Sequence, residues 1–203
     1  IDIGRHVLTQ ACLDAAAWQA ALGESAPKTV SVNLSARQIQ HPDLVDDVAA
    51  ALSSSGLAAS ALTLEITESI LLEDADAAAR TLGALKDLGL SIALDDFGTG
   101  YSSLSYLDRF PVDIVKIDKS FIDALAGTGT AGSPLVAAIV NLGNLLGLDV
   151  TAEGIEGVDQ VARLRQIGCV QGQGYYFARP MAADDLLARL AHRAHAPAQL
   201  SRL

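Results

Sequence analysis

The order of apolar and polar positions alternates between two periods along the chain. Short runs rich in Val, Ile or Leu predict strands at Thr29–Leu34, Leu62–Thr67, Ser91–Asp95, Asp113–Ile117 and Asp149–Ala152, with a last one at about Gln173–Phe177. Apolar positions then recur at three- and four-residue spacing, predicting helices at about Asp43–Ser54, Asp74–Leu88, Ser102–Arg109, Pro134–Leu146, Val158–Ile167 and Ala183–His192. Gly56, Gly89, Gly147 and Gly168 stand just past four of these helices, where a left-handed C-cap is expected. Ahead of the first strand, Ile3–Leu22 reads as one more helix, with Val7, Leu8, Ala11, Cys12, Ala15 and Trp18 on one face.

Strand–helix alternation of this kind predicts an α/β domain built on a parallel sheet. No G-x-G-x-x-G or G-x-x-x-x-G-K-[ST] loop follows any strand, so a TIM-type (β/α)8 barrel is preferred to an open doubly wound sheet. Closing such a barrel takes eight strands, whereas the pattern supplies about six strand–helix units after an orphan helix. The expectation is therefore one domain over residues 1–192 whose first two strands lie upstream, followed by a polar tail at 193–203.

Composition narrows the function classes. Half of the 203 residues are hydrophobic, enough for one sizeable core. A formal net charge of -10 argues against duplex nucleic acid as a partner, because that affinity rests on Lys and Arg neutralising phosphates. Two cysteines far apart, Cys12 and Cys169, match neither a disulfide framework nor a C-x-x-C metal pattern and favour a cytoplasmic setting. No apolar run reaches the roughly 18–20 residues that cross a bilayer, although a longer parent could be membrane-anchored through other domains.

The chemistry gathers at the strand ends, where a β/α barrel builds its active site. They carry Asn33, Glu65, Asp95 with Asp96, Lys116 with Asp118, Glu153 and Gln173. Each residue singly could cap a helix or face water, but a series of strand ends behaving alike points to a site. Strand alternation aims Glu65 inward, where an unpaired carboxylate is costly unless it meets a cation. Asp95 and Asp96 cannot both face inward from a regular strand, so the chain is expected to turn there, with the glycines of FGTGYSS, including Gly98 beside Thr99, permitting it. Closely set carboxylates and an amide form a hard oxygen-donor set suited to Mg2+ or Mn2+ rather than zinc. Lys116, inside the apolar run Ile114–Ile117, would place an ammonium among them, as a catalytic group or a structural ion pair. Trp18 is read as core; Tyr175, in the aromatic run Tyr175-Tyr176-Phe177, could pack or stack on a base.

The segments SVNLSARQ at 31–38, LEITES at 64–69, DDFGTGYSSLSYL at 95–107, VKIDKSFI at 115–122, AEGIE at 152–156 and QGYYFARPM at 173–181 resemble, in order, the EAL-domain cyclic-di-GMP phosphodiesterases. The resemblance implies metal ligation by Asn33, Glu65, Asp95, Asp96 and Glu153, with Asp95 bridging two Mg2+ or Mn2+ ions. Lys116, Gln173 and Glu153 would serve catalysis, and Glu68 would anchor the Asp96–Ser103 loop and couple it to a homodimer contact. Asp118, Glu156, Gly98 and Thr99 would complete the inner shell and the substrate surroundings. Neither the Glu-Ala-Leu signature nor the arginine that follows it is in this sequence; both belong to the second barrel strand.

The implied activity is two-metal hydrolysis of cyclic di-GMP to linear pGpG. Sensory or GGDEF domains are expected upstream. A catalytically inactive cyclic-di-GMP receptor is the alternative, and a metal-dependent lyase on the same barrel is disfavoured by the FGTGYSS loop and the motif order.

Overall fold

A computed structural model describes residues 1–68, 70, 74–99, 109–125 and 133–195. In chain order its main elements are α1 (Asp2–Leu22), β1 (Val30–Asn33), α2 (Ala36–Ile39), α3 (Leu44–Ser55), β2 (Leu62–Thr67), α4 (Ala75–Asp87), β3 (Ser91–Phe97), β4 (Ile114–Ile117), α5 (Lys119–Asp123), α6 (Ser133–Leu146), β5 (Asp149–Ala152), α7 (Val158–Ile167), β6 (Gln171–Gly172) and α8 (Ala183–His195). The strands follow one another across a single sheet in sequence order, and β3 to β6 pair in parallel.

The chain divides into two compact units. One comprises Ile1–Leu64, Arg80–Ser91 and the described part of Pro180–Leu203; the other comprises the described parts of Glu65–Ala79 and Ile92–Arg179.

In the first unit the expected apolar face of α1 holds in part: Leu8, Cys12 and Ala15 are buried, Ala11 and Trp18 are half-buried, so Trp18 is not full core, and Val7 is exposed; α1 packs on α3, β1 and α8. Arg5 donates to Asp47 at 2.8 Å, tying α1 to α3 on the surface. The short helix α2 was not foreseen, because its four residues are too few to show a period. Its local signal is a capping box, in which Ser35 N–H and Oγ–H both donate to Gln38 Oε1.

The second unit holds the run from the end of β2 to β6. β2 is buried along nearly its whole length, and Ile66, Ile92, Val115, Ile117 and Ala152 are at most 2% exposed, as expected for strands covered on both faces. α6 packs against α7, β4 and β5. Gly56, Gly89, Gly147 and Gly168 all take positive φ, as their positions after helices required.

Three expectations change. The last strand is Gln171–Gly172, not Gln173–Phe177. Its two residues are small or polar and exposed, so they carry no apolar signal; the aromatic run belongs to a turn in which Phe177 N–H donates to Gly174 O. β3 does not end at Asp95 but continues to Phe97, with its pairing to β4 broken between Leu94 and Phe97. A bulge, rather than a turn, resolves the two adjacent carboxylates. α8 runs through His195, past the expected end at His192. The helix predicted at Ser102–Arg109 lies, apart from Arg109, outside the described residues.

Candidate functional site

The strand ends of the second unit bring four predicted residues onto one centre. Lys116, in the middle of the buried run of β4, is 4% exposed. Its Nζ lies 2.6 Å from Glu65 Oε2, 3.1 Å from Asp95 Oδ1 and 2.6 Å from Glu153 Oε1. These partners come from β2, β3 and the residue after β5, so three strands each deliver a carboxylate to the ammonium of a fourth. Burial opposes a charged lysine, but the close approach and attraction of Glu153 and Glu65 outweigh it and raise the Lys116 pKa.

Three carboxylates against one ammonium leave negative charge uncompensated in a water-poor site. Glu153 bears the consequence: burial pushes its pKa up, the Lys116 ammonium pulls it down, and Asp95 and Glu65 push it up again. The Lys116–Glu153 approach is close enough for an ion pair, yet no donor is aimed along a hydrogen-bonding direction at the buried Oε1. Lys116 holds that oxygen by charge attraction, and the oxygen keeps a lone pair for a further ligand.

Asp96 stands beside this group. Oxygens of Asp95, Asp96 and Glu153 all lie within 4.8 Å of one another. The bulge puts Asp96 at φ 55, the one non-glycine positive φ among the described residues; such a conformation costs on the order of 1–3 kcal/mol. Local bonds hold it: Asp96 N–H donates to Asp95 Oδ1 at 3.1 Å, and Thr99 donates to Asp96 O from both N–H (3.3 Å) and Oγ (2.9 Å). Burial, with Asp95 and Asp118 adding repulsion against the pull of Lys116, raises the Asp96 pKa.

Gln173 follows β6 and is pinned by its backbone, donating N–H to Ala152 O at 2.8 Å and accepting from Ile155 N–H at 3.1 Å. Asp118 caps α5, accepting from Ser120 N–H at 3.0 Å and from its hydroxyl, and the Ser120 bonds hold its carboxyl below the usual range. Glu156 is exposed and pairs with Lys119 at 2.8 Å. Gly98, at φ 97, approaches Phe121 so closely that a Cβ would meet the ring at 2.9 Å. Glu68 is 6% exposed and engaged; the loop it was expected to anchor runs, from Gly100 to Ser103, outside the described residues. Asn33 ends β1 in the first unit and is exposed.

An open groove of about 310 Å³ adjoins the carboxylates, walled by Lys119, Glu153, Glu156, Gln173, Gly174 and Tyr175. Lys119 and Arg179, which stacks on Tyr175 with its guanidinium carbon 4.8 Å from the ring centroid, were not singled out from sequence. Lys119 did carry a signal, the i,i+4 spacing to Asp123, now an ion pair at 2.8 Å. Arg179 carried none.

Hard oxygen donors, excess negative charge, a carboxylate carried on a positive-φ backbone and a buried oxygen without an aligned donor fit an oxygen-preferring divalent cation. Among known proteins, the EAL domain family matches residues 1–180. The chain belongs to the EAL domain family.

This EAL chain is 44% identical over 191 residues to the bifunctional diguanylate cyclase/cyclic di-GMP phosphodiesterase MucR of Pseudomonas aeruginosa, covering 94% of this chain and 27% of that protein. It spans about a quarter of the length of the curated relatives it matches. The structure of the PaMucR phosphodiesterase in complex with c-di-GMP superimposes with a TM-score of 0.85 at 44% identity, over 91% of this chain and 74% of that one. The EAL domain of Mycobacterium smegmatis DcpA gives 0.87 at 35% identity, over 96% and 86%. Klebsiella pneumoniae BlrP1, in a complex with calcium and cyclic di-GMP, gives 0.77 at 33% identity, over 90% and 46%. The fold class is thus the TIM-type barrel expected from the strand–helix alternation, with six strands supplied here. No described helix is long and apolar enough to cross a membrane.

Proposed function

We propose that this EAL chain carries most of a metal-dependent site that hydrolyses cyclic di-GMP to linear pGpG, using two Mg2+ or Mn2+ ions. The observation that carries the reading is the convergence of Glu65, Asp95 and Glu153 on Lys116, with Asp96 alongside and the buried Glu153 Oε1 lacking an aligned donor. Relatives named as cyclic-di-GMP phosphodiesterases or solved with cyclic di-GMP support the substrate.

Glu65, Asp95, Asp96 and Glu153 would hold the ions; Asn33 joins the donor set on its motif alone. When bound, such ions supply the positive charge that a dianionic phosphodiester needs and the Lewis acidity that makes water a nucleophile near neutral pH. Lys116 orients three of the carboxylates through its ammonium and, with Gln173, positions the attacking water. The bonds of Thr99 to the Asp96 backbone carbonyl hold the bulge that carries this residue, so its backbone is set before substrate arrives.

We further assign the domain to residues 1–192 with a tail at 193–203, a cytoplasmic setting, an upstream sensory or GGDEF domain and a homodimer coupled through Glu68 and the Asp96–Ser103 segment. The deciding assay is cyclic-di-GMP turnover by the full-length protein in Mg2+ or Mn2+. Linear product that vanishes in excess EDTA and returns with the metal is expected. Turnover surviving excess EDTA contradicts the mechanism, and tight binding without turnover places the protein among receptors instead.

A further inference from the structure

The chemistry of the carboxylate centre leaves Gln160, a buried polar side chain of the second unit, without a task. Gln160 stands in the first turn of α7 and is 4% exposed. Gly157, just before that helix, has no side chain to cap it, so Gln160 reaches back. Its Oε1 accepts from Gly157 N–H at 3.0 Å and from Glu156 N–H at 2.8 Å. Capping needs no more than this. Gln160 Nε2 nevertheless leaves its own helix and donates to Ile122 O at 3.1 Å, in α5.

These three bonds join two segments that carry opposite sides of the centre. Ile122 belongs to the helix that follows β4 and Lys116, and Glu156 to the segment that follows β5 and Glu153. That segment is fastened at its start, where Glu153 N–H donates to Ile117 O at 3.1 Å. Gly154 comes next at φ 65, a conformation that leaves a glycine many alternatives, so a second tie beyond it is needed to fix the path of the chain. Lys119 lays its stem over Gly154 and bonds Glu156 Oε1 at 2.8 Å, but both charged side chains are about half exposed, and such pairs contribute little. The Gln160 bonds are shielded from water, where losing them leaves polar groups unpaired. We propose that Gln160 is a positioning residue for Glu153: by joining Glu156 and Gly157 to Ile122 it sets the spacing between the strand of Lys116 and the strand of Glu153, and with it the metal affinity of the centre. The proposal rests on the divalent-metal reading of that centre.

The test is Mn2+ uptake by the full-length protein, followed by electron paramagnetic resonance of free Mn2+, with cyclic-di-GMP turnover measured at saturating Mn2+. Gln160→Met keeps the length of the side chain and removes all three bonds. It should weaken Mn2+ uptake about ten-fold and lower kcat in parallel, with KM for cyclic di-GMP within about two-fold of the natural value. Val161→Ala controls for mere loosening of α7: Val161 is 7% exposed in the same helix, so its truncation should lower the unfolding midpoint yet leave Mn2+ affinity within about two-fold. Gln160→Glu keeps the acceptor for both N–H groups and drops only the donor to Ile122, which covers the case in which Gln160→Met does not fold. Its added negative charge by itself favours cation uptake, so weaker uptake there reports lost positioning. Natural affinity in either Gln160 variant, or an equal loss in Val161→Ala, overturns the proposal and leaves the metal site standing. Failure of the natural protein to take up Mn2+ overturns both.

Discussion

Lys116 and Lys119 stand three residues apart and each holds more than one carboxylate, yet they live in opposite physical regimes. Lys116 is nearly enclosed on a strand among three acids. Lys119 lies on α5 with its side chain about half exposed, joined to Asp123 and Glu156, and their hydrogen bonds push its pKa up to about 12. Water and salt screen the second network, so its charges are nearly free to rearrange. They cannot screen the first. Similar ion-pair lists therefore mean a committed charge site in one place and an adjustable groove wall in the other.

The sharpest way to break this contrast is Lys116→Met, which strands Glu65, Asp95 and Glu153 without their counter-charge. Unfolding in EDTA should show a loss of about 3–5 kcal/mol, and millimolar Mn2+ should recover part of it by binding the folded state. A loss under 1 kcal/mol would mean that the cluster is as wet as the surface network.

Next in size is Gly154→Ala. Gly154 sits at φ 65 with the Lys119 stem packed where a Cβ would go, so the added methyl meets both backbone strain and a side chain. About 1–2 kcal/mol of destabilisation is expected in urea unfolding, with Lys119 displaced rather than the core. Asp118→Ala should cost about 1 kcal/mol through loss of the α5 cap. Because Ser120 lowers the Asp118 pKa, that stabilisation is present above the ordinary carboxylate pKa and lost as pH falls through the lowered one. The natural protein and Asp118→Ala should therefore converge in stability in acid and separate as pH rises. The smallest effect is Lys119→Met, which should leave the unfolding midpoint unchanged within error; a shift larger than that of Gly154→Ala would invert the comparison.

The buried regime was the more legible of the two in sequence. A lysine inside Ile114–Ile117 and a glutamate inside Leu62–Thr67 are conspicuous because charge interrupts an apolar strand, and both strands fall almost where the pattern put them. What the pattern missed had no such contrast. Gln171–Gly172 pairs with β5 without any apolar side chain of its own, while Tyr175-Tyr176-Phe177 imitates a strand but turns, because Gly174 lets the chain press against Ile155. The conflict between Asp95 and Asp96 was visible, but its remedy was not: a bulge with Asp96 at positive φ depends on Thr99 closing behind it. Asp118 and Glu156 look alike in sequence to the clustered acids, and only their neighbours Ser120 and Lys119 draw them outward. Arg179 reaches Tyr175 across a turn that no periodicity describes.

The central claim, that the Lys116 carboxylates are a divalent-metal site, is tested most directly by titrating Mn2+ into the full-length protein and following free Mn2+ by electron paramagnetic resonance, in the natural sequence and in Glu153→Gln. Saturable uptake that weakens at least about ten-fold in the variant, in line with the loss of one charged oxygen ligand, is the expected result. Uptake that is absent, or indifferent to Glu153→Gln, would contradict it and leave Lys116 as the only cation this cluster holds among the described residues.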